Sequence, residues 1–176
     1  MTTDLHERWD AVVVGAGPAG STTAGQIARR GFRPLILEEH NQVGTTLHCS
    51  GLVSPRTIDV GQIDRSIIVN EIKGAIVHTA SGKSLVLGGD KTRAYVLDRI
   101  ALDRHLTMRA VSSGAKLTMD TRLIDIQRDG NCLHLLCRNH LGDVREITTN
   151  LIIGADSCRS AVTRWIGLPL LKALPV

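Results

Sequence analysis

The chain has 176 residues, 43% hydrophobic and 22% charged, with a formal charge of +4. That balance suits one folded domain with a real core and excludes a disordered tail. Only Trp9, Phe32, Tyr95 and Trp165 are aromatic and the basic residues form no run, which argues against nucleic-acid binding by base stacking.

Asp10–Val14 is a short β-branched run, the mark of a strand buried on both faces. Gly15-Ala16-Gly17-Pro18-Ala19-Gly20 follows, and the small residues from Ser21 to Arg30 predict a helix that Gly31 ends. Pro34–Glu38 reads as a second buried strand, so the opening is a parallel βαβ unit. From Glu39 to about Pro55 the pattern is irregular and predicts a long loop without a core role. Strands are expected at 66–69, 75–80 and 83–87. Asp98 caps a predicted helix to about Ser113, with Leu102, Leu106 and Ala110 on one face. A strand at 116–119, a meander over 123–149, a buried strand at 151–155 and a short helix from Ser160 to Ile166 complete the chain. The expected organisation is a βαβ unit over 9–39, a loop over 40–57, inserted strands over 66–97 and a helix over 98–113. A strand with its meander over 115–149 and a final strand with an Asp motif over 151–166 follow. The fold class is α/β, a parallel sheet with an inserted β-meander.

Four cysteines (Cys49, Cys132, Cys137, Cys158) form no CxxC pair and no metal-ligand spacing with the histidines, so no metal is expected. The polar Met1–Trp9 segment reads as neither a secretory signal nor an anchor. No apolar run approaches the roughly 20 residues of a spanning helix. The expected setting is the reduced cytoplasm, with peripheral membrane contact left open.

The glycine-rich turn carries the chemistry. Gly15 permits the tight turn, Gly17 lets backbone approach a pyrophosphate, and Gly20 lets the helix pack on the sheet. The free N–H groups and dipole of the helix start attract a diphosphate without a lysine. Glu38, at the end of the second strand, can accept both ribose hydroxyls of an adenosine and repels a 2′-phosphate, so FAD or NAD is the expected ligand. The alternative is that Glu38 and Glu39 are solvated strand-end charges.

The turn, Glu38, Tyr95-Val96-Leu97-Asp98-Arg99 and Gly154-Ala155-Asp156 occur in the order that resembles FAD-dependent oxidoreductases of the aromatic-hydroxylase type. The loop His48-Cys49-Ser50-Gly51-Leu52-Val53-Ser54-Pro55-Arg56-Thr57 looks most like their geranylgeranyl reductase branch, as does the stretch from Tyr95 to Gly114. The resemblance implies a Rossmann-type FAD/NAD(P)-binding sheet, FAD as cofactor, and NADPH or another donor as reductant. An apolar isoprenoid would be the substrate, reduced at a C=C bond. It places Arg99 on the FAD pyrophosphate, the backbone of Leu123 at the adenine, and Cys49, Ser50 and Gly51 beside the flavin ring. Without it, Arg99 reads as a surface arginine paired with Asp98 or Asp103. Cys49, the one candidate for catalysis, reads equally as a small hydrophobe, and His48 as a loop histidine.

Asp156 matches a Gly-Ala-Asp-Gly motif in which Ser157 replaces the last glycine, and it can also cap the helix from Ser160. Members of the family are more than twice as long and carry a second Gly-Asp motif beyond the position of Val176. The expectation is an N-terminal portion of such a protein, with the rest of the FAD and substrate machinery absent. A flavin monooxygenase or halogenase, an NAD-dependent enzyme, and a dinucleotide-binding module without activity remain open.

Overall fold

Alternation along two short strands organises the first half of the chain. The computed structural model describes residues 7–45, 49–157 and 160–169. His48 and Cys158 lie outside the described residues. The chain forms two compact units, one from residues 1–45 and 106–176 and one from Thr46–His105.

The first unit opens with β1 (Glu7–Trp9), β2 (Ala11–Val14), α1 (Pro18–Ala28) and β3 (Pro34–Leu37). The second contains β4 (Leu52–Val53), α2 (Pro55–Gly61), a 3-10 turn (Arg65–Ile67), β5 (Ile68–Ile72), β6 (Gly74–His78), β7 (Ser84–Gly88) and β8 (Ala94–Leu97). Helix α3 (Arg99–Ser112) carries the chain back to the first unit, which ends with β9 (Lys116–Thr118), β10 (Thr121–Asp129), β11 (Cys132–Asn139), β12 (Val144–Thr149), β13 (Ile152–Gly154) and α4 (Ala161–Trp165).

In the first unit, β13-β2-β3-β9 form a parallel sheet and β1-β12-β11-β10 a second sheet. All residues of β2 and β3 are buried, with opposite faces meeting different neighbours. Val12, Val14, Leu35 and Leu37 pack with Leu123, Leu135, Cys137 and Ile147 of the meander. Val13 and Ile36 turn the other way, onto Ala24 and Ala28 of α1 and Ala110 of α3. Side chains alternate across a strand, so a continuous apolar run is what a sheet covered on both faces requires. Each fully buried aliphatic side chain contributes about 1.5–3 kcal/mol. Helix α1 begins at Pro18, three residues before its expected start, because proline at N1 loses no hydrogen bond there. Its inner stripe of Gly20, Ser21, Ala24, Gly25 and Ala28 is small enough for close approach.

In the second unit, β4-β8-β5 form an antiparallel sheet and β6-β7 a hairpin exposed along its whole length. The strand expected from residue 66 begins only at Ile68. Asp64 Oδ1 accepts the Ser66 N–H at 2.9 Å and holds Arg65–Ile67 in a 3-10 turn. The region expected to be a loop up to Pro55 holds β4, and α2 starts at its end with Ser54 as cap and Pro55 at N1. It is also less peripheral than expected, since Val43 and Gly51 are buried. Strand β1, in the segment read only as polar, pairs parallel with β12 from Glu7↔Ile147 to Trp9↔Thr149.

Candidate dinucleotide site

Two of the three fingerprint glycines are demanded by packing and the third is not. Gly15 sits at φ +103°, its N–H donating to the Leu37 carbonyl at 2.8 Å. A Cβ on Gly15 would overlap the carbonyl oxygen of Ala155, and one on Gly20 would overlap the carbonyl oxygen of Gly15. These two residues therefore let the turn, the start of α1 and the segment after β13 meet backbone to backbone. Gly17 caps α1 with extended backbone (φ −69°, ψ −178°), and a Cβ there would meet nothing within 4 Å. That open space lies at the N–H groups of a helix start, beside exposed Ala19.

Glu38 closes over the same turn. Its Oε2 accepts the Ala16 N–H at 2.8 Å, and its Oε1 accepts the His40 N–H at 3.1 Å. Oε1 also lies 2.6 Å from His40 Nδ1. With its side chain 12% exposed, Glu38 is not a solvated strand-end charge. Its backbone is fixed as well, through Glu38 N–H to Thr118 O and Thr121 N–H to Glu38 O, each 2.9 Å. Turn and carboxylate are thus brought together as the motif requires. His40 was not singled out from the sequence, although its i, i+2 spacing puts it on the same side of an extended chain as Glu38.

Asp156 is committed to α4. Its Oδ1 accepts the Ser160 hydroxyl at 2.6 Å and its Oδ2 the Ala161 and Val162 N–H groups at 2.6 and 3.3 Å. Ser160 Oγ in turn accepts the Thr163 N–H at 2.9 Å. Ser157 takes φ +69°, a left-handed conformation with a side chain on it. Leu123 turns its side chain into the core at 3% exposure, and the β10–β11 register shifts between Leu123 and Asp125. A cavity of about 610 Å³ opens beside it, lined also by Glu39, His40, Asp120, Arg122 and Trp165.

The remaining candidates belong to the second unit. Cys49 and Ser50 are exposed. Gly51 is buried at φ +76°, where a Cβ would overlap the Leu97 carbonyl oxygen, and its own carbonyl accepts the Leu97 N–H at 3.0 Å. Close contact with β8 is therefore sufficient reason for a glycine there. Asp98 caps α3 by accepting the Ala101 N–H at 3.0 Å. Of the two partners considered for Arg99, Asp103 holds it, at 3.0 Å. Burial raises the Asp103 carboxyl above its usual range, and the Arg99 guanidinium pulls it the other way. Among the described residues no group of three His, Cys, Asp or Glu side chains is placed to hold a metal ion, and no helix is long and apolar enough to cross a membrane.

Residues 8–173 match the family model described as FAD binding domain. The chain belongs to that family. FAD is its cofactor, and the free N–H end of α1 at Gly17, where a Cβ would meet nothing within 4 Å, has the chemistry that a diphosphate needs. The chain is 32% identical over 170 residues to the digeranylgeranylglycerophospholipid reductase of Methanocaldococcus jannaschii, covering 96% of this chain and 43% of that protein. The reductase of the same name from Methanothrix thermoacetophila is 33% identical over 165 residues, covering 92% and 42%. A geranylgeranyl bacteriochlorophyll reductase-like structure from Thermoplasma acidophilum superposes with a TM-score of 0.84 at 29% identity, covering 93% and 43%. Aklavinone-11 hydroxylase, solved with FAD and aklavinone, shares the fold at 21% identity and a TM-score of 0.71, covering 90% and 35%. The FAD-binding chain thus spans less than half the length of the curated relatives it matches.

Proposed function

We propose that this chain is the adenosine-holding part of an FAD-dependent oxidoreductase that reduces C=C bonds of an isoprenoid, in the manner of geranylgeranyl reductases. The observation that carries the reading is the 32% identity along 170 residues with a reductase named for a digeranylgeranyl lipid. The Cys49-Ser50-Gly51 loop adds support.

In this reading the backbone of Gly15, Gly17, Ala19 and Gly20 receives the diphosphate, and Glu38 accepts the ribose hydroxyls. The Leu123 backbone meets the adenine, while Asp156 orders the segment after β13. The resemblance assigns Arg99 to the pyrophosphate, a task that a guanidinium fork suits. Cys49, Ser50 and Gly51 lie beside the flavin, where small residues allow close backbone approach. FAD held by these residues would, once reduced by NADPH or another donor, supply the hydride needed to reduce an isoprenoid C=C bond, a proton completing the addition. The protein's part is to hold the cofactor and exclude water.

The purified chain, reconstituted with FAD and desalted, should keep a stoichiometric flavin spectrum. A colourless protein would overturn the cofactor assignment. Anaerobic reoxidation of the dithionite-reduced holoprotein by a geranylgeranyl lipid supports the reductase reading. Reoxidation by oxygen alone, coupled to hydroxylation of an aromatic substrate, overturns it in favour of a monooxygenase.

A further inference from the structure

Beneath the glycine turn lies a buried polar cluster that the fingerprint does not contain. Ser21 Oγ donates to the Ala16 carbonyl at 2.9 Å, and Thr107 Oγ1 on α3 reaches the same oxygen at 3.2 Å. The two hydroxyls lie 2.8 Å apart, and since each carries one proton, two of these three contacts are hydrogen bonds at any one time. Ser21, Thr107 and Ala16 are all buried. Ala16 is thus gripped at both ends, its N–H by the Glu38 carboxylate and its C=O by the hydroxyl pair.

The geometry of the peptide unit gives this grip a consequence. The Ala16–Gly17 bond is trans, so the Ala16 carbonyl and the Gly17 N–H point in opposite directions in one plane. A carbonyl drawn inward onto Ser21 and Thr107 turns the Gly17 N–H outward. The space around Gly17 is open, a Cβ there meeting nothing within 4 Å. Gly17, the cap residue, has no side chain to bond the N–H groups of the first turn.

We infer that Ser21 and Thr107 are positioning residues that aim the Gly17 N–H at a diphosphate. The inference rests on the FAD reading and extends it from the glycines to a hydroxyl pair outside the fingerprint. The pair touches no ligand and acts only through the Ala16–Gly17 peptide.

The test compares ADP with adenosine as probes on the full chain, by calorimetry, with melting temperatures measured alongside. Adenosine keeps the ribose contact with Glu38 and lacks the diphosphate. In Ser21→Ala and Thr107→Val, ADP affinity should fall about fivefold, the effect of one neutral hydrogen bond, while adenosine affinity stays constant. Thr107→Ser retains the hydroxyl and should keep the wild-type ratio of the two affinities. ADP and adenosine weakening in parallel, or ADP affinity unchanged in both variants, overturns the inference and leaves the pair a packing feature. A wild-type chain that binds neither probe sinks the dinucleotide reading and this inference with it. Unaffected variants of a binding wild type sink the inference alone.

Discussion

The Ala16 backbone N–H donates to Glu38 Oε2 at 2.8 Å, tying the diphosphate turn to the carboxylate that would receive the ribose. One hydrogen bond therefore links the two halves of the proposed ADP site, and a change at Glu38 should be felt in the turn as well as at the sugar.

Glu38→Gln should weaken FAD binding by roughly ten- to a hundredfold, the range of a charge-assisted hydrogen bond of about 1.5–3 kcal/mol. Flavin fluorescence titration measures it. Equal affinity in wild type and variant would show that the ribose is held elsewhere.

Gly17→Ala and Gly20→Ala should separate binding from folding. A Cβ at position 20 overlaps the Gly15 carbonyl, so Gly20→Ala should cost about 3 kcal/mol and lower the Tm by roughly 6–12 °C. A Cβ at position 17 meets nothing, so Gly17→Ala should leave the Tm of the FAD-free chain unchanged and still weaken FAD binding. Thermal melts with and without FAD check both. A large drop in Tm for the FAD-free Gly17→Ala chain would contradict the assignment of that space to a ligand.

The βαβ core was legible because its signals are local: β-branched runs, a glycine turn between them and small residues on one helix face. Strand β1 was not, since Glu7–Trp9 becomes a strand only through pairing with β12, more than a hundred residues along the chain. Helix α2 left a signal in Ser54-Pro55, an N-cap followed by proline at N1, which the glycines around it obscured. In the site, residue types indicated Glu38 and the turn, and only the fold could show that they bond to each other. Thr107 reaches the turn through the packing of α3, and no spacing in the chain announces it.

Ser157 occupies φ +69°, a left-handed conformation that costs a residue with a Cβ about 1 kcal/mol. Ser157→Gly should therefore raise the Tm by about 2–4 °C, and Ser157→Ala, which keeps the Cβ, should not. Calorimetry on the three chains decides. Equal gains from Gly and Ala would place the effect in the hydroxyl instead.

Cys137 is fully buried and burial pushes its thiol up to about 11, whereas Cys49 is exposed. A disulfide reagent at pH 8 should label Cys49 rapidly and leave Cys137 intact until the chain unfolds. The raised value also fixes a sign. The neutral thiol is favoured in the folded state, so its contribution to stability is full below pH 9 and is lost as the pH rises from about 9 through about 11. Cys137→Ala should remove that alkaline component, at the cost of a smaller core residue. Mass spectrometry of the labelled chain, with and without denaturant, identifies the reactive positions, and fast native labelling at Cys137 would contradict its burial.

Asp103 sets burial against an ion pair within one turn of α3. Its side chain is 13% exposed and Arg99 lies 3.0 Å away, and burial is the larger influence on its carboxyl. The folded-state value is therefore above the ordinary 3.8, and the protonated form is the one the fold prefers. Stability from this group is complete below that ordinary value and is lost as the pH rises through the raised one. Asp103→Asn keeps the shape and removes the charge, so its advantage over the wild type should be greater at pH 7 than at pH 3.5. The opposing force is the loss of a partner for Arg99, but at 19% exposure the guanidinium still reaches water. Urea midpoints at the two pH values measure the balance. A variant whose deficit grows towards pH 7 would show that the Arg99 pair outweighs the burial of the carboxylate.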